Sequence, residues 1–301
     1  MIPNIVVIAG PTASGKSDLA VRYVHYLHDN FNVDAEIINS DSIQLYRELK
    51  ILTSYPTEDL LRQVRHHLYG VLSPLETSSM SLWLDWTQEK ISQLHQQNKI
   101  AIICGGTGLY IDALINGISD IPKIPEEFRS EVMNKFQQLG RDRFFKLLVA
   151  LDPELCKTLN KNNTQRILRA YEVASYTGKP LTSWWKGKKI KGRNVFSMLL
   201  LPPREKLNRR CLARLKKMME AGAPEEVKNF IEKYPDYAGP LGNVIGYREI
   251  ISLLSHKISY MECMQLMYNR TKQYAKRQYT WFRNKLKLTK IIEVFGEEFQ
   301  P

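Results

Sequence analysis

Ile5-Val6-Val7-Ile8-Ala9-Gly10-Pro11-Thr12-Ala13-Ser14-Gly15-Lys16-Ser17 is the stretch whose reading decides the fold. Five apolar residues ending at a glycine describe a strand buried on both faces of a parallel sheet, where alternation is lost because neither face meets water. Residues 10–17 then fit G-x-x-x-x-G-K-[ST], between a buried strand and a helix, which is the context a phosphate loop requires. Gly10 and Gly15 let the backbone curl so that the amides of Thr12, Ala13, Ser14, Gly15, Lys16 and Ser17 face an anion beside Pro11. The helix N-terminus and the Lys16 ammonium add positive charge, and the Ser17 hydroxyl offers a ligand to Mg²⁺.

Outward from this stretch, a helix is expected from about Lys16 to Leu27, then strands at Ala35–Asn39 and Ile100–Cys104, the second after a helical segment from Ser81 to Gln97. Such alternation predicts an α/β fold, a P-loop NTPase-like parallel sheet flanked by helices. From Pro122 to Tyr176 the chain turns helical and highly charged, which predicts a mostly helical insertion lobe over 120–194. Residues 178–193 are Gly- and Lys-rich and read as a loop or hairpin. Val195–Leu201 rejoins the sheet, and long helices follow at Arg204–Ala221, Ala223–Lys233 and Tyr260–Lys285. Residues 1–119 and 195–301 are thus expected to form the catalytic core, with its C-terminal helices.

The 301 residues carry a net charge of +12, unevenly placed. Residues 1–119 hold 8 Lys/Arg against 12 Asp/Glu, while residues 120–301 hold 35 against 19. A mildly acidic part with a phosphate loop and a strongly basic remainder suggest a small ligand handled by one and a polyanion met by the other. No apolar run approaches the roughly 20 residues of a spanning helix, and no basic leader precedes the first strand, so membrane insertion and export are excluded. Cys104, Cys156, Cys211 and Cys263 are scattered without metal spacing, which points to a cytoplasmic chain with neither disulfides nor structural zinc.

A phosphate loop alone does not define the reaction. Ordinary P-loop NTPases hold Mg²⁺ with an Asp ending an apolar strand, but Ile100–Cys104 runs into Gly105-Gly106-Thr107-Gly108. The acid at a strand end is instead Asp41, in Asn39-Ser40-Asp41-Ser42-Ile43-Gln44-Leu45-Tyr46. At the carboxyl edge of a parallel sheet, it is a candidate metal supporter, general base or helix cap. The glycine turn either aims amides and the Thr107 hydroxyl at the ligand or is a tight strand–helix connection.

Together with GPTASGKS (10–17), NSDSIQLYR (39–47), HHL (66–68), CGGTGLY (104–110), NTQRILRAYEV (163–173), TGKPL (177–181), GYRE (246–249) and TKQYAKRQYTWFR (271–283), in this order, the chain resembles bacterial tRNA dimethylallyltransferases from Ile5 to Arg283. The resemblance implies transfer of a dimethylallyl group from dimethylallyl diphosphate to N6 of the adenosine 3′ of the anticodon (position 37), assisted by Mg²⁺. It implies Asp41 as the base, with Lys16, Thr107 and an arginine aligned at Arg214 serving the departing diphosphate. It also implies contacts with the tRNA anticodon stem-loop from Asp41, Ser42, Ile43, Gln44, Thr107 and Arg129, from Gln165, Arg166, Ile167, Leu168 and Arg169, and from Gly246, Tyr247 and Arg248. The last segment is Lys276, Arg277, Gln278, Tyr279, Thr280, Trp281, Phe282 and Arg283. Ser17 and Asp41 are the implied Mg²⁺ residues. The chain departs from the family at Leu52-Thr53-Ser54-Tyr55-Pro56, where a lysine is common.

The residues carry their own argument for RNA. An adenine in a loop is reached at N6 by extruding the nucleotide. Between Glu262 and Glu293 there is no acid, while Arg270, Lys272, Lys276, Arg277, Arg283, Lys285, Lys287 and Lys290 supply eight positive charges among Tyr274, Tyr279, Trp281 and Phe282. Cations suit phosphates and aromatics suit bases, although the same pattern describes an amphipathic helix with its aromatics in the core. Lys186, Lys188, Lys189, Lys191 and Arg193 beside Trp184-Trp185 form a second basic cluster. The expected state is a monomer. Two other readings remain: an isopentenyltransferase acting on a free adenine nucleotide, which gives no reason for the basic part, and a P-loop kinase, which lacks its strand-end Asp.

Overall fold

The computed structural model describes residues 3–184, 195–286 and 290–300. The basic cluster Lys186–Arg193 with Trp185, and Lys287, lie outside the described residues. Among the described residues, six strands form one parallel sheet: β1 (Ile5–Ala9), β2 (Ala35–Asn39), β3 (His66–His67), β4 (Ile100–Gly105), β5 (Val195–Leu200) and β6 (Lys290–Ile292), in the order β3-β2-β4-β1-β5-β6. β1 lies between β4 and β5, with Ile5 opposite both Ala101 and Val195. All five of its residues are fully buried, which is why its sequence shows no alternation.

Helices α1 (Lys16–Phe31), α2 (Lys50–Thr53), α3 (Glu58–Gln63), α4 (Met80–Gln96) and α5 (Gly108–Asn116) precede an insertion of α6 (Glu126–Leu151), α7 (Pro153–Thr158) and α8 (Thr164–Thr177). After β5 come α9 (Arg204–Glu220), α10 (Ala223–Lys233), α11 (Tyr247–Leu254) and α12 (Tyr260–Lys285). The chain divides into two compact units, one of Met1–Ile115 with Lys191–Pro301 and one of Asn116–Ile190. In the first, Val6, Ile8, Leu19, Ile102 and Met198 pack α1 against the sheet. In the second, Phe144, Leu148, Ile167 and Val173 join α6 to α8. Asp152, fully buried, accepts from the Leu155 amide and from the Thr182 amide and hydroxyl, so its charge is solvated by protein donors.

The expected α/β class with a parallel sheet is the fold observed. Two edge strands escaped the sequence reading. β3 is only His66-His67, paired to Ile37-Ile38 and anchored by a 2.6 Å contact from His67 Nε2 to Glu36 Oε2, with Lys99 on the other oxygen at 2.6 Å. β6 pairs Lys290–Ile292 with Met198–Leu200. Segments of two and three residues carry no periodicity to read.

Strand order sets where a ligand can bind. Because β4 lies between β2 and β1, the turn carrying Asp41, the 105–108 glycine turn and the phosphate loop stand side by side at the carboxyl edge of the sheet, where ligands of open α/β folds bind.

Candidate active site

The phosphate loop curls through two left-handed residues, Ala13 (φ 63°) and Gly15 (φ 83°). Alternation of right- and left-handed backbone makes a concave nest of amides. Gly10 is needed for close approach: a Cβ there would lie 2.9 Å from the Leu200 carbonyl oxygen. Lys16 Nζ donates to the Pro11 carbonyl (3.3 Å), and Arg214 Nη1 on α9 donates to Thr12 Oγ1 (2.8 Å). Both acceptors are neutral, so neither bond brings its cation a counter-charge. Burial pushes Lys16 below the usual lysine range, against the pull of Cys104 and Asp41, and lowers Arg214 likewise. Two half-buried cations beside an amide nest give the site a positive potential suited to a compact anion.

Asp41 sits in a turn that the sequence builds tightly. Asn39 accepts from the Asp41 amide (2.8 Å) and donates to the carbonyls of Asp41 (3.0 Å) and Leu68 (2.9 Å). The Asn39 carbonyl accepts from buried Trp83 Nε1 (2.7 Å). Asp41 Oδ1 accepts from the Ile43 amide (3.1 Å), so one oxygen holds the turn. Thr107 Oγ1 accepts from the Ser42 amide (3.0 Å) and lies 3.4 Å from Ser42 Oγ. The Thr107 hydroxyl therefore braces the Asp41 turn.

The glycine turn after β4 is shaped by neighbours on both sides. A Cβ on Gly105 would collide with the Ser40 backbone, its Cα at 2.7 Å, one on Gly106 would lie 2.6 Å from Gln278 Nε2, and one on Gly108 would enter the Trp281 ring. These glycines admit the β2 turn and α12. Gln278, buried on α12, accepts from the Thr12 amide (2.8 Å) and donates to the Gly106 carbonyl (2.9 Å).

A cavity of about 1030 Å³ opens over these groups, and Lys16, Ser17, Asp41 and Arg214 all line it. Its apolar lining includes Leu52, Leu215, Met218, Val244 and Ile245. Gln44 Nε2 donates to the carbonyls of Thr53 (2.9 Å) and Ser54 (2.8 Å), and Glu226 accepts from the amides of Ile51 (2.8 Å) and Leu52 (3.1 Å), which together hold α2 against the cavity. Tyr274 also lines it; burial, then the nearby Asp41 carboxylate, push its phenol well above the usual range, so it is a neutral donor at pH 7. Sequence reasoning missed Tyr274 and Arg210 as lining residues. The signal was their spacing of four from Gln278 and Arg214 on a helix.

Ser17 and Asp41 give a hydroxyl and a carboxylate on one cavity, and among the described residues no cluster of three or more His, Cys, Asp or Glu would hold a metal unaided. That limited donor set fits Mg²⁺, which keeps waters and substrate oxygens for most of its octahedron.

The residues expected to meet RNA divide by burial. Lys276, Arg277, Thr280 and Arg283 on α12 are exposed, as are Arg129, Gln165, Arg166 and Arg248. Arg129 pairs with Glu126 (3.5 Å), Arg169 with Glu172 (3.4 Å), and Arg248 Nε donates to the Gly242 carbonyl (3.1 Å). Ile167 and Leu168 point into the core of the insertion unit, and Tyr247 and Phe282 into that of the sheet unit, so the side chains of these four are spent on packing. The division follows from the helical period, which sends residues about 100° apart around the axis to core and surface in turn rather than by sequence neighbour. Gly246 (φ 103°) is buried and turns the chain into α11, its amide donating to Glu249 (3.0 Å). Trp281 is half-buried on Gly108, and Tyr279 lies under Arg204, its ring 4.7 Å from the guanidinium carbon.

A parallel α/β sheet presenting a phosphate loop, two half-buried cations and a strand-end carboxylate on one cavity defines a phosphate-loop protein. Residues 44–285 match the family model described as IPP transferase, and the chain belongs to that family. It is 38% identical over 285 residues to the tRNA dimethylallyltransferase of Pelagibacter ubique (strain HTCC1062), covering 94% of this chain and 89% of that one. The Anaplasma phagocytophilum (strain HZ) tRNA dimethylallyltransferase is 39% identical over 288 residues, 95% and 89% of the two chains. Among solved structures it resembles a eukaryotic dimethylallyltransferase acting on tRNA, with a TM-score of 0.81 and 27% identity over 96% of this chain and 74% of that one. The tRNA delta(2)-isopentenylpyrophosphate transferase of Staphylococcus epidermidis superposes with a TM-score of 0.68 at 29% identity, over 99% and 95%.

Proposed function

We propose that this protein transfers the dimethylallyl group of dimethylallyl diphosphate to N6 of the adenosine 3′ of the anticodon in tRNA, releasing diphosphate. The observation that carries the reading is a cavity lined at once by a cationic phosphate loop, apolar side chains and Asp41. The diphosphate lies on the amides of residues 13–17 with Lys16 and Arg214, which face the charge that develops as the carbon–oxygen bond breaks. The five-carbon tail takes the side of Leu52, Leu215, Met218, Val244 and Ile245, which excludes water from a reactive allylic carbon. An exocyclic adenine amine is a poor nucleophile because its lone pair is delocalised, so attack needs a base. Asp41 takes the N6 proton as the nitrogen–carbon bond forms, while Oδ1 keeps the turn in place through the Ile43 amide. Mg²⁺, held by Ser17 with Asp41 close by, would neutralise charge on the departing diphosphate.

The exposed cations of α12, with Arg129, Gln165, Arg166 and Arg169 of the insertion unit, take the tRNA anticodon stem-loop, and the protein acts as a cytosolic monomer. All four cysteines are free, and among the described residues no helix is long and apolar enough to cross a membrane. The test is incubation with Mg²⁺, labelled dimethylallyl diphosphate and either unmodified tRNA or AMP. Label in tRNA is expected; label in AMP alone refutes the reading, and consumption of ATP with phosphorylated product would favour a kinase.

A further inference from the structure

Gln278 lies in a segment expected to touch tRNA, yet its side chain is 8% exposed and both ends of its amide are spent inside the protein. Thr12 offers only an N–H and Gly106 only a carbonyl oxygen, so the orientation of the amide is dictated: oxygen to Thr12 at 2.8 Å, nitrogen to Gly106 at 2.9 Å. The Thr12 amide and the carbonyl turn at Gly106 belong to the ends of β1 and β4, adjacent strands whose loops carry the phosphate site and the brace on Asp41. Gly106 has no room for a side chain because this amide occupies the space, its Nε2 2.6 Å from where a Cβ would stand. Thr12 is gripped from the other side by Arg214 on its hydroxyl (2.8 Å).

We propose that Gln278 is a positioning residue for the transfer reaction: it clamps the phosphate loop to the glycine turn and so fixes the distance between the diphosphate cations and Asp41. The inference rests on the reaction proposed above. No other residue type satisfies both contacts at this reach. Glutamate would set an ionised oxygen against the Gly106 carbonyl, asparagine is one methylene short, and methionine fills the volume while leaving a buried donor and acceptor without partners. Because reacting atoms must be held to within a few tenths of an ångström, loosening the clamp costs turnover and donor affinity together. The exposed neighbours Lys276, Arg277 and Thr280 are the part of α12 left for RNA.

The test compares wild type, Gln278→Met and Gly106→Ala, the last displacing the amide while keeping Gln278. For both variants kcat/KM for dimethylallyl diphosphate at saturating tRNA should fall about 10- to 100-fold, with the tRNA Kd unchanged within about twofold. In the ligand-free full-length protein, hydrogen exchange at the Thr12 amide should quicken at least about tenfold, since its acceptor is lost. A raised tRNA Kd with donor kinetics intact would make Gln278 an RNA contact and overturn the proposal. Unchanged exchange at Thr12 would overturn it as well. Should wild type fail to use dimethylallyl diphosphate, the proposed function falls while the exchange measurement still decides the clamp. If Gln278→Met does not fold, Gly106→Ala decides it.

Discussion

Replacing Gly108 by alanine sets two known effects against each other. Gly108 opens α5, and alanine in a helix is favoured over glycine by up to about 1 kcal/mol, closer to 0.5 at a terminus. The added methyl, however, enters the six-membered ring of Trp281, with even the more distant Cη2 at 2.8 Å. Carbon atoms rest about 3.5–4.0 Å apart, so the ring must retreat by about 1 Å or more. Moving the half-buried ring disturbs its edge-on contact with fully buried Phe282, at 5.5 Å between centroids. Overpacking of this kind costs about 1–3 kcal/mol, which outweighs the propensity gain and leaves Gly108→Ala destabilised by about 1–2 kcal/mol. In a Trp281→Leu background the obstacle is gone, and the same substitution should stabilise by about 0.5 kcal/mol. A double-mutant cycle by urea denaturation should therefore give a coupling near 2 kcal/mol. Equal effects in the two backgrounds would refute the steric argument, and with it the view that this glycine exists to admit α12.

Asp41→Asn keeps the acceptor for the Ile43 amide but removes the base, so kcat should fall about 10²- to 10⁴-fold with KM for dimethylallyl diphosphate nearly unchanged; an equal loss of donor affinity would assign Asp41 to the metal instead. Burial lowers the pKa of Lys16, so the unfolded chain binds more protons and the stability contributed by this group rises with pH, from its depressed value up to about 10.4. Lys16→Met should then stabilise the ligand-free protein by about 1 kcal/mol at pH 7, abolish transfer, and lose its stability advantage in thermal scans as pH approaches 10. Arg277 is exposed on α12; Arg277→Gln should lower the slope of log Kd for tRNA against log salt by about one, whereas KM for the donor should respond little to salt. A slope that stays the same would remove Arg277 from the phosphate contacts.

Much of the fold was legible because its signals are local. The apolar run of β1 marks a strand buried on both faces, as it is, and α10 and α12 begin and end at the residues expected, each opened by a recognisable start: Pro224 in the first turn of α10, and Ser259 with Glu262 as a capping box on α12. Short elements were not legible for the complementary reason. β3 is a strand only because Glu36 and Ile37-Ile38 are beside it, and β6 only because Met198–Leu200 offers an open edge; neither condition is written in the two or three residues themselves.

The site divides along the same line, and the two glycine-rich turns show why. In 10–17 the reasons for the glycines are local enough for a pattern to capture: the left-handed Gly15 is demanded by the nest that any phosphate loop forms. In 105–108 the reasons are remote, with Gly106 set by a residue 172 positions later and Gly108 by the indole of Trp281. In the sequence, these glycines read either as amides for the ligand or as a tight connection; the space they leave is taken up by the Ser40 backbone at Gly105 and by α12 at Gly106 and Gly108. The same remoteness hid the division of labour on α12. Lys276, Arg277, Gln278 and Tyr279 are adjacent in sequence, yet 3.6 residues per turn send the first two to solvent and Gln278 to the phosphate loop. Arg277 both reaches solvent and lines the cavity that Gln278 and Tyr274 line, so if the basic face of this helix receives RNA, the polyanion and the cavity beside the phosphate loop meet along one rigid element.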